Sequence, residues 1–225
     1  MVAVSAFLIS LSFFFENEEA LSESFGELRQ DTVIIDAGHG GEDGGAVGVD
    51  GVLEKQINLA VSQKLEYIMN LCGVNTDMTR RGDDALFFDE SRSLKERKSS
   101  DIKKRVEKIA NTPRATVISI HQNSFPQDNC KGAQVFFSGG NAKSNDFAEC
   151  VQSALREGID STNHRLAKKN DKTIYLLENV RCPAILVECG FLTNHEEAKI
   201  LKTDTYQTKL AVCIAAGFLK YQNEK

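Results

Sequence analysis

A chain of 225 residues, 41% hydrophobic and 26% charged, is long enough to bury the core of one domain. Its net charge of −5 supplies no general basic field, which argues against a nucleic-acid partner, and neither a low-complexity tract nor an internal repeat suggests a fibrous or solenoid protein. In chain order, residues 1–15 come first, almost wholly apolar and uncharged, followed by an acidic, turn-prone stretch at 16–27. The apolar run is shorter than the ~20 residues that a membrane-spanning helix needs. It lacks a basic start but otherwise suits the apolar part of an export signal. Residues 1–28 are therefore predicted to be an export signal or membrane anchor with its linker, and 29–225 the folded domain.

Within 29–225, strand and helix patterns alternate. Residues 32–36 (TVIID) read as a buried strand. Residues 54–71 read as a helix with Leu53, Ile57, Val61, Leu65 and Ile68 on one stripe, closed by Gly73. Residues 74–79 form a second strand. A charged helix covers 91–110, with Leu94, Ile102, Val106 and Ile109 facing inward. Residues 116–120 (TVISI) are a third strand and 133–137 (AQVFF) a fourth, at an edge or antiparallel. A helix at 144–159, a strand at 184–187 and one or two closing helices over 196–221, broken near 203–205, complete the pattern. Continuously apolar strands alternating with helices imply an α/β fold, a mainly parallel sheet covered on both faces. The six cysteines contain no CxxC pair, which argues against a cysteine zinc ribbon; in an exported chain some could pair as disulfides, while Cys189 and Cys213 sit in apolar runs that suit buried free thiols.

Three of the buried strands lead into chemistry-bearing side chains. Residues 32–36 run into Ala37, Gly38 and His39; 116–120 run into His121; 184–187 run into Glu188. In open α/β sheets the C-terminal strand ends are where ligands bind. Glu54 opens the first helix, across a glycine-rich loop from His39 that can fold back toward it. Two imidazoles and one carboxylate, with a position left for water, make a catalytic zinc site, and a fourth residue such as Glu188 then serves as base. Singly, each residue has an ordinary reading as a loop histidine or a helix-start acid. Glu188 is the hardest to read so, because a carboxylate behind four apolar strand residues needs a cation or donor to meet it. His164 and His195 lie in polar segments and read as surface residues. The loop lacks the third glycine of a dinucleotide fingerprint, and neither GxxxxGK nor GxSxG is present.

DAGHGG (36–41), the LEKxxNLA stretch (53–60), SIHQNS (119–124) and LVECGFLTN (186–194), in this order, resemble the zinc-dependent N-acetylmuramoyl-L-alanine amidases. The resemblance runs from about Val33 to Tyr221. It implies that His39, Glu54 and His121 bind one Zn2+, that Glu188 is the catalytic glutamate, and that 29–225 is a single α/β domain with a central six-stranded, mostly parallel sheet. The implied substrate is the lactyl–L-alanine amide of peptidoglycan. Residues 93–111 and 173–194 resemble the sporulation and germination branch, which implies action on spore cortex as the first step to muramic-δ-lactam, outside the cytoplasmic membrane. An accessory sporulation protein is an expected partner. The eight Lys or Arg against three Asp or Glu between Arg92 and Lys108 read as a solvated helix face or as a basic surface for such a partner or for anionic wall. The alternatives are a vegetative cell-separation or autolytic amidase, a zinc carboxypeptidase acting on stem peptides, and a catalytically inactive wall-binding module.

Overall fold

The computed structural model describes residues 31–224, so the signal or anchor expected at 1–28 lies outside the described residues. Twelve elements follow one another: β1 (Thr32–Ala37), α1 (Glu54–Leu71), β2 (Thr76–Met78), α2 (Leu94–Ala110), β3 (Ala115–Asn123), β4 (Gln134–Phe137), α3 (Lys143–Gly158), β5 (Lys168–Lys169), α4 (Tyr175–Asn179), β6 (Ala184–Phe191), α5 (His195–Leu201) and α6 (Asp204–Asn223). The strands form one six-stranded sheet in the order β2-β1-β3-β6-β4-β5. The first four of these are parallel; β4 is antiparallel to β6, and β5 is parallel to β4. The fold is thus the expected mostly parallel α/β sheet flanked by helices.

Alternation along the strands divides the core in two. On one face Val33, Ile35, Ile118, Ile120, Ile185 and Val187 pack under α1, α3 and α6. α1 meets them through Ile57, Val61, Leu65 and Met69, all essentially buried, and ends at Gly73, whose φ of 78° suits the residue after a helix. α3 and α6 lock together where Phe147 meets Phe218 edge-on and stacks on Tyr221. On the other face Ile34, Val117, Ala184 and Leu186 are covered by α2 and the short α4 through Ile109, Leu176 and Leu177.

α2 begins three residues later than its sequence pattern, because Ser93 caps it. Glu96 N donates to Ser93 Oγ (3.4 Å), and Ser93 N donates to Glu96 Oε2 (2.9 Å), a complete capping box. Leu94, expected inward, is instead 44% exposed and joins Phe87 and Phe88 beside a small hollow. The largest side chain that α2 buries is instead Arg105, 1% exposed. β4 is antiparallel as expected, but β5 is the edge. The closing helix breaks at Lys202 and Thr203, where the Thr203 hydroxyl caps α6. All six cysteines are free; Cys150, Cys189 and Cys213 are buried, whereas Cys72 is exposed at the end of α1.

Candidate metal centre and catalytic site

The sheet register assembles the site. Gly38 N donates to Ile120 O (3.1 Å), which carries the β1–β3 pairing one step past the end of β1. His121 pairs with Glu188 across β3–β6, and Glu188 pairs with Gln134 across β6–β4. Paired residues share a face, so Gly38, His121, Glu188 and Gln134 form one row along the edge, on the face covered by α2 and α4. Val187 and Cys189, which flank Glu188, turn into the opposite core. β3 and β6 run on to Asn123 and Phe191, so His121 and Glu188 lie within paired strands rather than beyond them. Gly38 is glycine because the His121 ring lies over it: a β-carbon there would come within 2.3 Å of Nε2. Gly45, at φ 70°, is constrained likewise, since a β-carbon would meet Glu54 Oε2 at 2.5 Å and the His39 ring at 2.7 Å.

Glu54 reaches the row from the start of α1. His39 Nε2 lies 3.1 Å from its Oε2, and His121 Nδ1 lies 2.9 Å from its Oε1. Ala46 N donates to Oε2 (2.9 Å), and Gln122 N (3.0 Å) and Asn58 Nδ2 (3.2 Å) donate to Oε1. Burial opposes the Glu54 charge, but the bonds to His121 and His39 outweigh it and hold the carboxyl far below the usual range. Asp43 Oδ2 accepts from His39 Nδ1 (2.8 Å), which turns Nε2 toward Glu54. Burial would lower the His39 pKa; the hydrogen bonds to Asp43 and Glu54, with their charges, instead raise it to about 9. Lys98 Nζ neutralises the far oxygen of Asp43 at 2.6 Å.

One potential donor atom from each of His39, Glu54 and His121 falls within 4.8 Å of the others, the only such metal-ligand group among the described residues. Beside it, Glu188 Oε2 is buried without a hydrogen-bond partner among the described residues. Burial pushes this carboxyl up to about 7, against the attraction of His121. The structure therefore brings all four sequence-predicted site residues together: two imidazoles and one carboxylate close enough to hold a metal ion, and beside them a buried carboxyl with an unpartnered oxygen. His164 and His195 are exposed and take no part.

Sequence reasoning missed the supports. Arg105, read as part of a solvated or docking face, is buried beneath the row. Its Nη1 donates to Asp36 Oδ1 (2.7 Å) and Ala37 O (2.8 Å), its Nη2 to His39 O (2.6 Å) and its Nε to Asp101 Oδ2 (2.7 Å). Arg80, also buried, donates to Ala37 O (2.9 Å), Gly38 O (3.0 Å) and Lys55 O (2.8 Å). Asp36 inside the first strand was the available signal, since a buried carboxylate requires a cation.

Comparison with known proteins agrees with this geometry. The pattern of the N-acetylmuramoyl-L-alanine amidase family matches residues 33–220. The germination-specific N-acetylmuramoyl-L-alanine amidase of Bacillus subtilis (strain 168) is 35% identical over 222 residues, 97% of this chain and 92% of that protein. The CwlD amidase of Clostridioides difficile, solved in complex with the GerS lipoprotein, is 38% identical with a TM-score of 0.84, covering 87% of this chain and all of that one. The amidase AmiC2 of Nostoc punctiforme is 32% identical with a TM-score of 0.72, covering 86% of this chain and 98% of that one.

Proposed function

Because the chain belongs to the N-acetylmuramoyl-L-alanine amidase family, we propose that it is a zinc-dependent member that hydrolyses the lactyl–L-alanine amide of spore-cortex peptidoglycan. The observation that carries the reading is the convergence of His39, Glu54 and His121 beside the orphaned Glu188 carboxylate. The donor set fits zinc: two imidazoles and one carboxylate leave a fourth position open, and Gly38 and Gly45 keep the space around the rings clear. Zinc held there supplies Lewis acidity toward a carbonyl oxygen and makes water a nucleophile near neutral pH. The protein does the rest. Asp43 fixes the His39 tautomer, and Glu54 is fixed by three amide donors. Glu188 Oε2, buried beside the donor set without a hydrogen-bond partner among the described residues, accepts the proton of the attacking water and returns it to the leaving nitrogen of L-alanine.

The cortex assignment is supported by the germination-specific Bacillus subtilis relative and by the resemblance of residues 93–111 and 173–194 to the sporulation and germination branch. An export signal or anchor at 1–28 would place the enzyme outside the cytoplasmic membrane, where that substrate lies. A lipoprotein-like accessory partner is supported by the CwlD–GerS complex. Mass spectrometry of peptidoglycan fragments after incubation with the protein reports the bond cut. Free stem peptides beginning with L-alanine, lost on chelation and restored by zinc, are expected; release of a C-terminal residue would establish a carboxypeptidase instead.

A further inference from the structure

The row of site residues continues beyond Gln134 to a cation that the hydrolytic chemistry does not use. Arg165 Nη1 lies 3.5 Å from Gln134 Oε1, its Nε donates to Lys131 O (3.2 Å), and its guanidinium lies 5.0 Å over the ring centroid of Phe191, the last residue of β6. The group lies over the ring and meets two acceptors, yet it makes no ion pair within 4 Å among the described residues. The acid that it faces, Glu197, is already engaged: its Oε1 accepts from Gly132 N (2.9 Å) and its Oε2 from Phe191 N (2.7 Å).

The opposite end of the site differs. There Arg97 is paired with Glu42, Lys98 with Asp43 and Lys55 with Asp83, each at 2.6 Å, so these three side-chain cations are already neutralised. The edge therefore has a polarity: ion-paired charge near the β1 loop, and beside β4 and β5 a guanidinium whose Nη2 makes no hydrogen bond among the described residues. A planar fork with spare donors matches a carboxylate. Glu188 to Gln134 is one strand spacing and Arg165 stands beyond it, so the fork lies on the order of two spacings, about 10 Å, from the reacting amide. That is the reach of two to three extended residues.

We propose that Arg165 binds a free carboxylate on the stem-peptide side of the substrate, so that the peptide runs toward β4 and β5 and the sugar toward the β1 loop. This rests on the amidase reading and adds which substrates are preferred. The test uses the full chain loaded with zinc and two muropeptides that differ only at the second stem residue, a free carboxylate in one and a carboxamide in the other. The wild-type chain is expected to favour the acid roughly 10- to 100-fold in kcat/KM. Arg165→Gln is expected to abolish that preference by raising KM for the acid, with little change on the amide and little change in kcat. Arg165→Lys, which keeps the charge without the fork, should recover part of the preference. A wild-type chain that cleaves both equally overturns the proposal, as does an Arg165→Gln variant that slows equally on both. A wild-type chain that cleaves neither overturns the amidase reading and this proposal with it.

Discussion

Replacing Arg105 by leucine tests whether the site stands on a buried ion pair. The guanidinium meets Asp36, Asp101 and the carbonyls of Ala37 and His39 within 2.8 Å. Removing it leaves the buried Asp36 carboxylate with only the Ser119 and Thr79 hydroxyls. Deleting one partner of such a pair costs about 3–5 kcal/mol, a large share of the 5–15 kcal/mol typical of a domain. The pH dependence is specific. Burial works against the Asp36 charge, but Arg105 and Ser119 outweigh it and hold the carboxyl at about 2 rather than 3.8. A carboxyl lowered by folding stabilises the protein above its unfolded pKa, so about 2 kcal/mol is present above pH 3.8 and lost as the pH falls toward 2. Urea unfolding of the metal-free protein at pH 7 and pH 3 should therefore show a gap between wild type and Arg105→Leu that narrows on acidification, because protonating Asp36 relieves the variant. A gap below about 1 kcal/mol at neutral pH, or one that does not change with pH, would refute the reasoning.

Two further outcomes follow from the site. Glu188→Gln keeps the shape of the side chain but cannot accept a proton; it should retain zinc, as measured by metal analysis, and lose on the order of 10²-fold or more in kcat. Full activity would assign the base elsewhere, and zinc loss as complete as in His39→Ala would make Glu188 a ligand. With His39 raised to about 9, the metal-free site carries a proton at pH 7.5, so zinc binding followed by calorimetry in buffers of different ionisation enthalpy should release about one proton, with apparent affinity rising as pH approaches 9. Proton-independent binding at pH 7.5 would contradict the His39–Asp43–Glu54 arrangement.

The parts of the site that were legible in the sequence are those where residue chemistry and strand pattern coincide. His39, His121 and Glu188 follow continuous apolar runs, and a polar group in that position needs a reason. The stripe of α1 placed Glu54 at a helix start, although only the fold shows that the loop brings it to both imidazoles. Arg105 was illegible because a buried arginine and a solvated one look alike in a helix rich in lysine; its partner Asp36 lies 69 residues away. Arg165 sits in an irregular segment without periodicity, and α4, at five residues, is too short to give a periodic signal. Leu94, in the first turn of α2, lines an open hollow rather than the core, because periodicity reports which side of a helix is apolar, not what packs against each turn.

The supports explain how a histidine on a glycine-rich loop is held in one place. His39 has φ 62°, a left-handed conformation that costs a non-glycine residue about 1–2 kcal/mol and persists only when its surroundings fix it. Three successive carbonyls do so: Ala37 O accepts from both Arg80 and Arg105, Gly38 O from Arg80 and Asn58, and His39 O from Arg105. Releasing the loop would leave two buried guanidiniums short of acceptors, a larger cost than the strain it relieves. Arg105 is anchored in turn by Asp36, and Asn58 also bonds Glu54, so the same network that bends the loop positions Glu54. The buried charges beneath the sheet edge are therefore the means by which a flexible glycine-rich segment presents His39 at one place, within reach of Glu54 and His121.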